Sequence, residues 1–495
     1  MLAKVLTAAQ SGMDGRRVEI ECDMSSGLPG LVVVGLGNKA VEEARDRIRS
    51  AIKNSGLMIP PKRITFNLAP ADLPKDGTTY DLGMAVALLI CSEQLEPVTD
   101  GLFIGELGLD GQLRAGLGAL TGAHVARQHG VKRLFVPAQN AAEAGMLTEV
   151  ETYPVQSLAE LHRHLSGEVP IEPFRPLAKA PNPHIATSLP RFEDIYGQTE
   201  AKRAVTIAAA GGHNLLLSGP PGSGKTMLSK ALLGLLPPPQ PSEQIEIAQL
   251  YNLAGQATPD LTTRPFRSPH HSASDSALIG GGKYPRPGEI SLSHRGVLFL
   301  DELPEFSRET LEALRQPIEE GMVTIARASG VVSFPSQFIL VAAQNPCPCG
   351  YHGDESLRCE CSAAVLERYR RKLSGPLLDR IDLKIRVQRV ALEKLKPVAQ
   401  TTSMELRARV GNARRRQQER LGGARTNVDM DNGEIESYCA LSPSVTTIAH
   451  QAIRTLGLSA RAYMRIRKVA RTIADLEASP TISAGHLAEA IRYRL

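Results

Sequence analysis

The run Gly219-Pro220-Pro221-Gly222-Ser223-Gly224-Lys225-Thr226 constrains this chain more than any other feature. It follows the apolar segment NLLLSG (214–219) and leads into a helical pattern from Lys225. A G-x-x-x-x-G-K-T sequence between a strand and a helix is a phosphate-binding loop. Gly222 and Gly224 let backbone N–H groups turn inward around a β-phosphate, with the helix N-terminus behind them. Lys225 then reaches the β- and γ-phosphates, and Thr226 offers its hydroxyl to Mg²⁺. Further strands, GVLFLDE (296–302) and FILVAAQN (338–345), alternate with helical patterns. That succession predicts an α/β fold, a parallel sheet with helices on both faces.

Such a loop needs a second acid for the metal. LFLDE supplies it where an apolar strand ends: Asp301 to hold Mg²⁺ through water, Glu302 to polarise the attacking water. Asn345 ends the next strand and is placed to orient the same water. Phosphoryl transfer also gains from an added cation. Arg380 in GPLLDRIDL and Arg461 in LSARAYMRIRKVARTIADL are the candidates.

At 495 residues the chain has room for about three domains. Its balance of 42% apolar and 22% charged residues excludes wholesale disorder. The longest strongly apolar run, Leu82 to Cys91, is ten residues, against about 20 needed to cross a bilayer. The N-terminal stretch quickly becomes charged and does not resemble a secretory signal, so a cytoplasmic location is expected. A net charge of +5 permits nucleic-acid contact without arguing for it. Aromatics at 4%, with no Trp, exclude a site built on rows of stacked bases.

Residues 1–166 alternate strands (18–22, 31–35, 64–70, 102–107, 131–137) with helices (from Asn38, 81–91, and around 118–129). Six prolines in 167–190 mark a linker. The nucleotide-binding core spans 191–395, and 396–495 reads as helices only, with starts at Ser442-Pro443 and Ser483. Four of the seven cysteines, Cys347, Cys349, Cys359 and Cys361, fall in one short segment. In a reducing compartment that clustering points to metal, and four thiolates suit structural Zn²⁺. The C-x-C spacings are tighter than the usual C-x₂₋₄-C, so free thiols or a redox pair stay as alternatives.

Two insertions stand out. Residues 249–290 carry Arg264, Arg267, His270, His271, Lys283 and Arg286, a loop too long to be mere connection. MVTIAR and VVSFPS are joined around Ala328-Ser329-Gly330, a hairpin signal that leaves Arg327 near the tip. Arg327, Arg264, Arg267 and Lys283 are the candidate phosphate contacts for DNA, against the alternative that these loops only pack. Arg407, Arg409, Arg414, Arg415, Arg416, Arg420 and Arg425 form a basic stretch that reads as a solvated helix face.

These motifs together resemble an AAA+ ATPase of the magnesium-chelatase-like group. RPFRSPHHSAS (264–274), PGEISLSHRGVLFLDELPEF (287–306) and NPCPCG (345–350) are closer still to the ComM/YifB family, bacterial ring ATPases linked to branch migration of DNA in natural transformation. The likeness runs along the whole chain. It implies ATP and Mg²⁺ as ligands, Asn345 as sensor 1, Arg380 as a finger inserted into the neighbouring subunit's ATP, and Arg461 as sensor 2 on a helical lid, in cis or in trans. It places DIYGQ (194–198) beside the adenine and the two insertions, a helix-2 insert and a pre-sensor-1 hairpin, at a ring pore. A homo-hexamer and single-stranded or branched DNA are the expected partners, with no membrane.

Residues 64–137 resemble a Lon-type protease fold. Thr78 or Thr79 stands near its nucleophile and about Gly122 at its lysine, with no Lys from 76 to 131. A hydroxyl nucleophile without a base is inert, so proteolysis is not expected. The similar, proteolytically silent domain of the RadA recombination ATPase favours a DNA-platform role by analogy. The functions in competition are a DNA motor, a chelatase motor subunit and a protein-remodelling chaperone.

Overall fold

The computed structural model describes residues 2–494 apart from 11, 14, 35–38, 72, 74, 76, 176–188, 283–284, 328–329, 355–356 and 390–401. The chain forms two compact units. One comprises Met1–Lys179 with Gln244–Thr258, the other Ala180–Glu243 with Pro259–Leu495.

The first unit is built on a seven-stranded mixed sheet. Its strands are β1 (Leu2–Ala9), β2 (Arg16–Ser25), β3 (Gly30–Val34), β4 (Arg63–Ala69) and β5 (Gly101–Phe103). After the small hairpin of β6 (Glu106–Leu107) and β7 (Leu113–Arg114) come β8 (Arg133–Pro137) and β9 (Glu151–Val155). The order is β3-β4-β2-β1-β5-β8-β9, with β1–β2 and β2–β4 antiparallel and the other pairs parallel. Side chains alternate in and out along β4, as expected of a strand with one face on the core. The helix Asp81–Cys91 is buried at every residue, which explains its apolar composition all round.

The second unit holds a five-stranded, wholly parallel sheet with helices packed on it. Chain order gives β10 (Leu215–Ser218), β11 (Phe266–Arg267), the short pair β12 (Gly280–Gly281) and β13 (Arg286–Pro287), and β14 (Val297–Leu300). Then follow the hairpin β15 (Met322–Arg327) and β16 (Gly330–Pro335), β17 (Ile339–Gln344) and β18 (Leu383–Arg386). The sheet order is β11-β14-β17-β10-β18. The phosphate-loop strand β10 is therefore flanked by β17, which leads to Asn345, and by β18, which follows Arg380. β17 is flanked in turn by β14, which leads to Asp301 and Glu302. Everything described from Thr402 onward is helix or turn, and it shares one apolar core with the sheet. Among the described residues no helix is long and apolar enough to cross a membrane.

Candidate nucleotide site and cysteine cluster

The loop after β10 turns through Gly222 at φ +74° and Gly224 at φ +90°, a region that disfavours other side chains. Gly219 answers to a close approach: a Cβ there would meet the Val387 carbonyl oxygen at 2.1 Å. The helix Lys225–Leu235 begins at the loop's end, so its N-terminal amides face the position of an anion.

Lys225 is buried, and its Nζ donates to the carbonyls of Gly219 at 2.7 Å and Pro220 at 2.9 Å and to Asn345 Oδ1 at 3.2 Å. Burial lowers the ammonium pKa, opposed by the charges of Asp301 and Glu302. The hydroxyl of Thr226 donates to Asp301 Oδ2 at 3.4 Å. A hydroxyl and a carboxylate so placed are the hard oxygen donors that Mg²⁺ accepts alongside water and phosphate. Gln198, from the segment DIYGQ, donates to the Ser223 carbonyl at 3.4 Å and so lies against the same loop.

Glu302 has a left-handed backbone at φ +52°, ψ +46°, where a non-glycine residue costs about 1–3 kcal/mol. Its side chain is half exposed, with Oε2 3.4 Å from His271 Nδ1. His271 lies tilted against His270, with ring centroids 4.1 Å apart, and makes a T-shaped contact with Phe306. In the sequence His271 belongs to an insertion, and nothing local marks it for the nucleotide site. The parallel pairing of β11 with β14 brings it there, since His271 lies four residues past β11.

Arg380 and Arg461 converge on another carboxylate. Glu319 Oε2 accepts from Arg380 at 2.6 Å, and Glu319 Oε1 lies 3.0 Å from Arg461. The Arg380 side chain is 8% exposed and the Arg461 side chain 52%. Arg380 also donates to the Pro376 carbonyl at 2.7 Å. No hydrogen bond or ion pair among the described residues joins either arginine to the phosphate loop of its own chain. No motif in the sequence marks Glu319.

Two expectations for the basic residues need correction. Arg264 is no surface cation: its side chain is 7% exposed and forks onto Glu243 at 2.7 and 3.0 Å. It also donates to the carbonyls of Pro237 and Arg295, so its guanidinium is consumed inside the fold. The arginines of 407–425 are not simply a solvated face either. Arg414 is buried and donates to the Ala209 carbonyl, Arg416 to that of Asp475, while Arg420 pairs with Asp475 and Arg425 with Glu434. Arg407, Arg409 and Arg415 stay on the exposed face of the helix Ser403–Leu421, as expected, while packing spends the charges of the others. Arg267 is half-buried against Glu289. Arg327 closes β15, with its side chain outside what the structure describes, and Lys283 lies outside the described residues.

Cys347, Cys349, Cys359 and Cys361 bring their sulfur atoms within 4.8 Å of one another. Cys347 lies 3.2 Å from Cys349 and 3.8 Å from Cys359. Four sulfurs each about 2.3 Å from a tetrahedral ion would stand close to 3.8 Å apart, so the set fits Zn²⁺. The backbone N–H of His352 donates to Cys347 Sγ at 3.3 Å. N–H groups of Tyr351 and Glu360 draw the Cys349 thiol down to about 6, while burial and the neighbouring sulfurs, outweighing a backbone N–H at each, raise Cys359 and Cys361.

In the first unit, the Thr78 hydroxyl donates to Glu106. A Cβ on Gly122 would meet Ile104 Cδ1 at 2.7 Å, so an apolar wall closes the position matched to the protease lysine. The lysine nearest in sequence to Thr79 on its N-terminal side, Lys75, is fully buried and donates to the Pro70 carbonyl.

Residues 191–395 match the family described as "Magnesium chelatase, subunit ChlI". Residues 20–140 match "Subunit ChlI of Mg-chelatase", and 400–494 match "Magnesium chelatase, subunit ChlI C-terminal". The chain is similar over its full length to the uncharacterized protein YifB of Salmonella typhimurium, 45% identical and covering 97% of that protein. It is 44% identical to the competence protein ComM of Haemophilus influenzae, again over all of this chain and 97% of the relative. Similarity to the magnesium-chelatase subunit ChlI of Chlorella vulgaris is 27% over 31% of this chain and 51% of that one.

Proposed function

This chain belongs to the ComM/YifB family of magnesium-chelatase-like AAA+ ATPases, and on that basis we propose that it is an ATP-driven DNA motor, a hexameric ring that drives branch migration of incoming DNA. The observation that carries the reading is the convergence of Lys225, Thr226, Asp301 and Asn345 at the mouth of one parallel sheet, beside Glu302. Lys225 and the loop amides bind the β- and γ-phosphates. Thr226 and Asp301 would hold Mg²⁺, and its charge would offset that of the phosphates when bound. Glu302 takes a proton from the attacking water, and Asn345 orients that water. Arg380, once released from Glu319, completes the neighbouring subunit's site, so hydrolysis requires assembly.

DNA as the track is supported by full-length similarity to a competence protein. The hairpin β15–β16 ends in Arg327, whose phosphate contacts would be independent of sequence. The first unit serves as a proteolytically silent platform, and Cys347, Cys349, Cys359 and Cys361 hold a structural Zn²⁺ with no open position for catalysis. A chelatase motor subunit is the second reading, favoured by the ChlI family matches. It is weakened because the ChlI relative covers under a third of the chain, whereas ComM covers all of it. A protein-remodelling chaperone shares every ATPase motif.

The test is the ATPase rate with no DNA, single-stranded, duplex and branched DNA, with Glu302→Gln as the blank. Strong stimulation that weakens steeply with salt is expected. A rate indifferent to every DNA would shift the reading to a protein or porphyrin partner.

A further inference from the structure

The segment that carries Arg380 is bolted to the C-terminal helices through its backbone. Arg465 NH1 donates to the Arg380 carbonyl at 2.9 Å and to Asp382 Oδ1 at 2.6 Å. Arg494 donates to the carbonyl of Ile381 and, at 3.3 Å, to that of Asp379. Three successive carbonyls, 379 to 381, thus each accept from an arginine of the helical region. Asp382 is buried, and its Oδ2 accepts from the Asn214 N–H at 3.0 Å. Asn214 also receives the N–H groups of Asp382 and Leu383 on its carbonyl, and it immediately precedes β10. Arg461, one helical turn before Arg465, shares Glu319 with the Arg380 side chain. The loop therefore has two mounts: the root of the phosphate-loop strand and the lid helix Ala460–Leu476.

Hydrogen bonds to four backbone or carboxylate groups of one short loop are more than chain packing requires. Free arginines at a domain surface would stay solvated, whereas Arg465 and Arg494 are largely buried. Burial of a guanidinium is tolerated only where several acceptors meet it. Here all the acceptors belong to, or flank, Arg380.

We propose that Arg465 and Arg494 are positioning residues for Arg380, so that the cation a subunit offers its neighbour is mounted on that subunit's own lid. This rests on the reading of Arg380 as trans-acting.

The experiment mixes inactive subunits. Lys225→Ala cannot bind nucleotide but keeps an intact Arg380 mount. Arg380→Ala binds nucleotide but offers no cation. Mixed rings pair the sound half of each and should regain hydrolysis. Arg465→Ala should behave as Arg380→Ala does. Alone, it should bind a fluorescent ATP analogue within about twofold of the unsubstituted chain and lose roughly 100-fold in kcat, the penalty of misplacing a catalytic group. Mixed with Lys225→Ala, it should recover to the same fraction as Arg380→Ala. Arg494→Ala, which leaves the Asp382 pair intact, provides the same test if Arg465→Ala does not fold.

Full hydrolysis by both variants alone would overturn the proposal. So would recovery of Arg380→Ala without recovery of either lid variant, since those arginines would then serve their own subunit. Failure of Arg380→Ala itself to recover would refute the trans reading and the proposal with it. A merely misfolded subunit would neither bind the analogue nor be rescued.

Discussion

His271 Nδ1 stands 3.4 Å from Glu302 Oε2, so a side chain from the insertion touches the carboxylate assigned to activate water. The contact matters because Glu302 is half exposed and held on a strained backbone, with little else to fix its side chain. A general base contributes about 10²–10⁴-fold, and only when aimed. His271→Ala should lower kcat about tenfold with the KM for ATP unchanged, and His271→Gln should retain most of the rate. Steady-state kinetics of the three proteins decide it, and an unchanged kcat in His271→Ala would dismiss the contact as incidental.

Lys225→Ala and Glu302→Gln should fail in different ways. Lys225 organises the loop through Gly219, Pro220 and Asn345, so its loss should abolish nucleotide binding. Glu302→Gln should keep ATP bound and reduce hydrolysis by about 10²–10⁴-fold. Equilibrium binding of a fluorescent nucleotide, set beside turnover, separates the two. Normal turnover by Glu302→Gln would mean that another group is the base.

Arg264→Ala should damage folding rather than DNA affinity. It would leave the buried Glu243 with only the Gln240 N–H and Arg295, 3.9 Å away, a loss of about 3 kcal/mol. Urea unfolding measures that loss. The slope of DNA affinity against salt, taken on folded protein, should stay as it was. A slope reduced by about one charge would return Arg264 to the DNA contacts.

Asp382 should make stability sensitive to acid. Burial by itself would raise its carboxyl, but Arg465 and His213 outweigh burial and hold it well below the usual carboxylate range. A depressed folded pKa contributes stability that is present in full above the unfolded value of about 4 and is lost as pH falls through the folded one. Asp382→Asn should therefore cost about 3–5 kcal/mol at pH 7, and the deficit should narrow below about pH 4. Denaturant unfolding at both pH values gives the answer, and a deficit independent of pH would contradict it.

The cysteine cluster predicts one Zn²⁺ per chain by elemental analysis, lost in Cys349→Ser together with several degrees of thermal stability. Nucleotide binding should survive, because the metal has no open position. A native protein free of metal in which Cys349, Cys359 and Cys361 react with a thiol reagent would exclude the site.

Much of the local structure was readable from the chain. The run DLGMAVALLIC became the helix Asp81–Cys91 residue for residue, because the ten apolar residues after Asp81 outrun an ordinary strand and so read as a buried helix. The start at Ser483 held because its hydroxyl accepts the His486 N–H. LFIGEL misled: it is read as one strand, but the chain breaks at Ile104 and Gly105, where the Gly105 N–H turns away to the Thr79 carbonyl. β1 went unread, although it pairs with β2 along its whole length. The arginines were the least legible residues. Arg264 and Arg414 look like surface charges in the sequence, and both are buried.

The sequence by itself determined the chemistry of the phosphate loop, because strand, glycines, Lys225 and Thr226 are contiguous and their roles follow from local backbone geometry. Only the tertiary structure decided the partners of the other charges. Pairing β11 with β14 brought His271 to Glu302, and packing the lid against the sheet set Arg465 and Arg494 on the loop of Arg380. A long side chain's destination depends on which elements pack around it, and no local pattern along the chain encodes that.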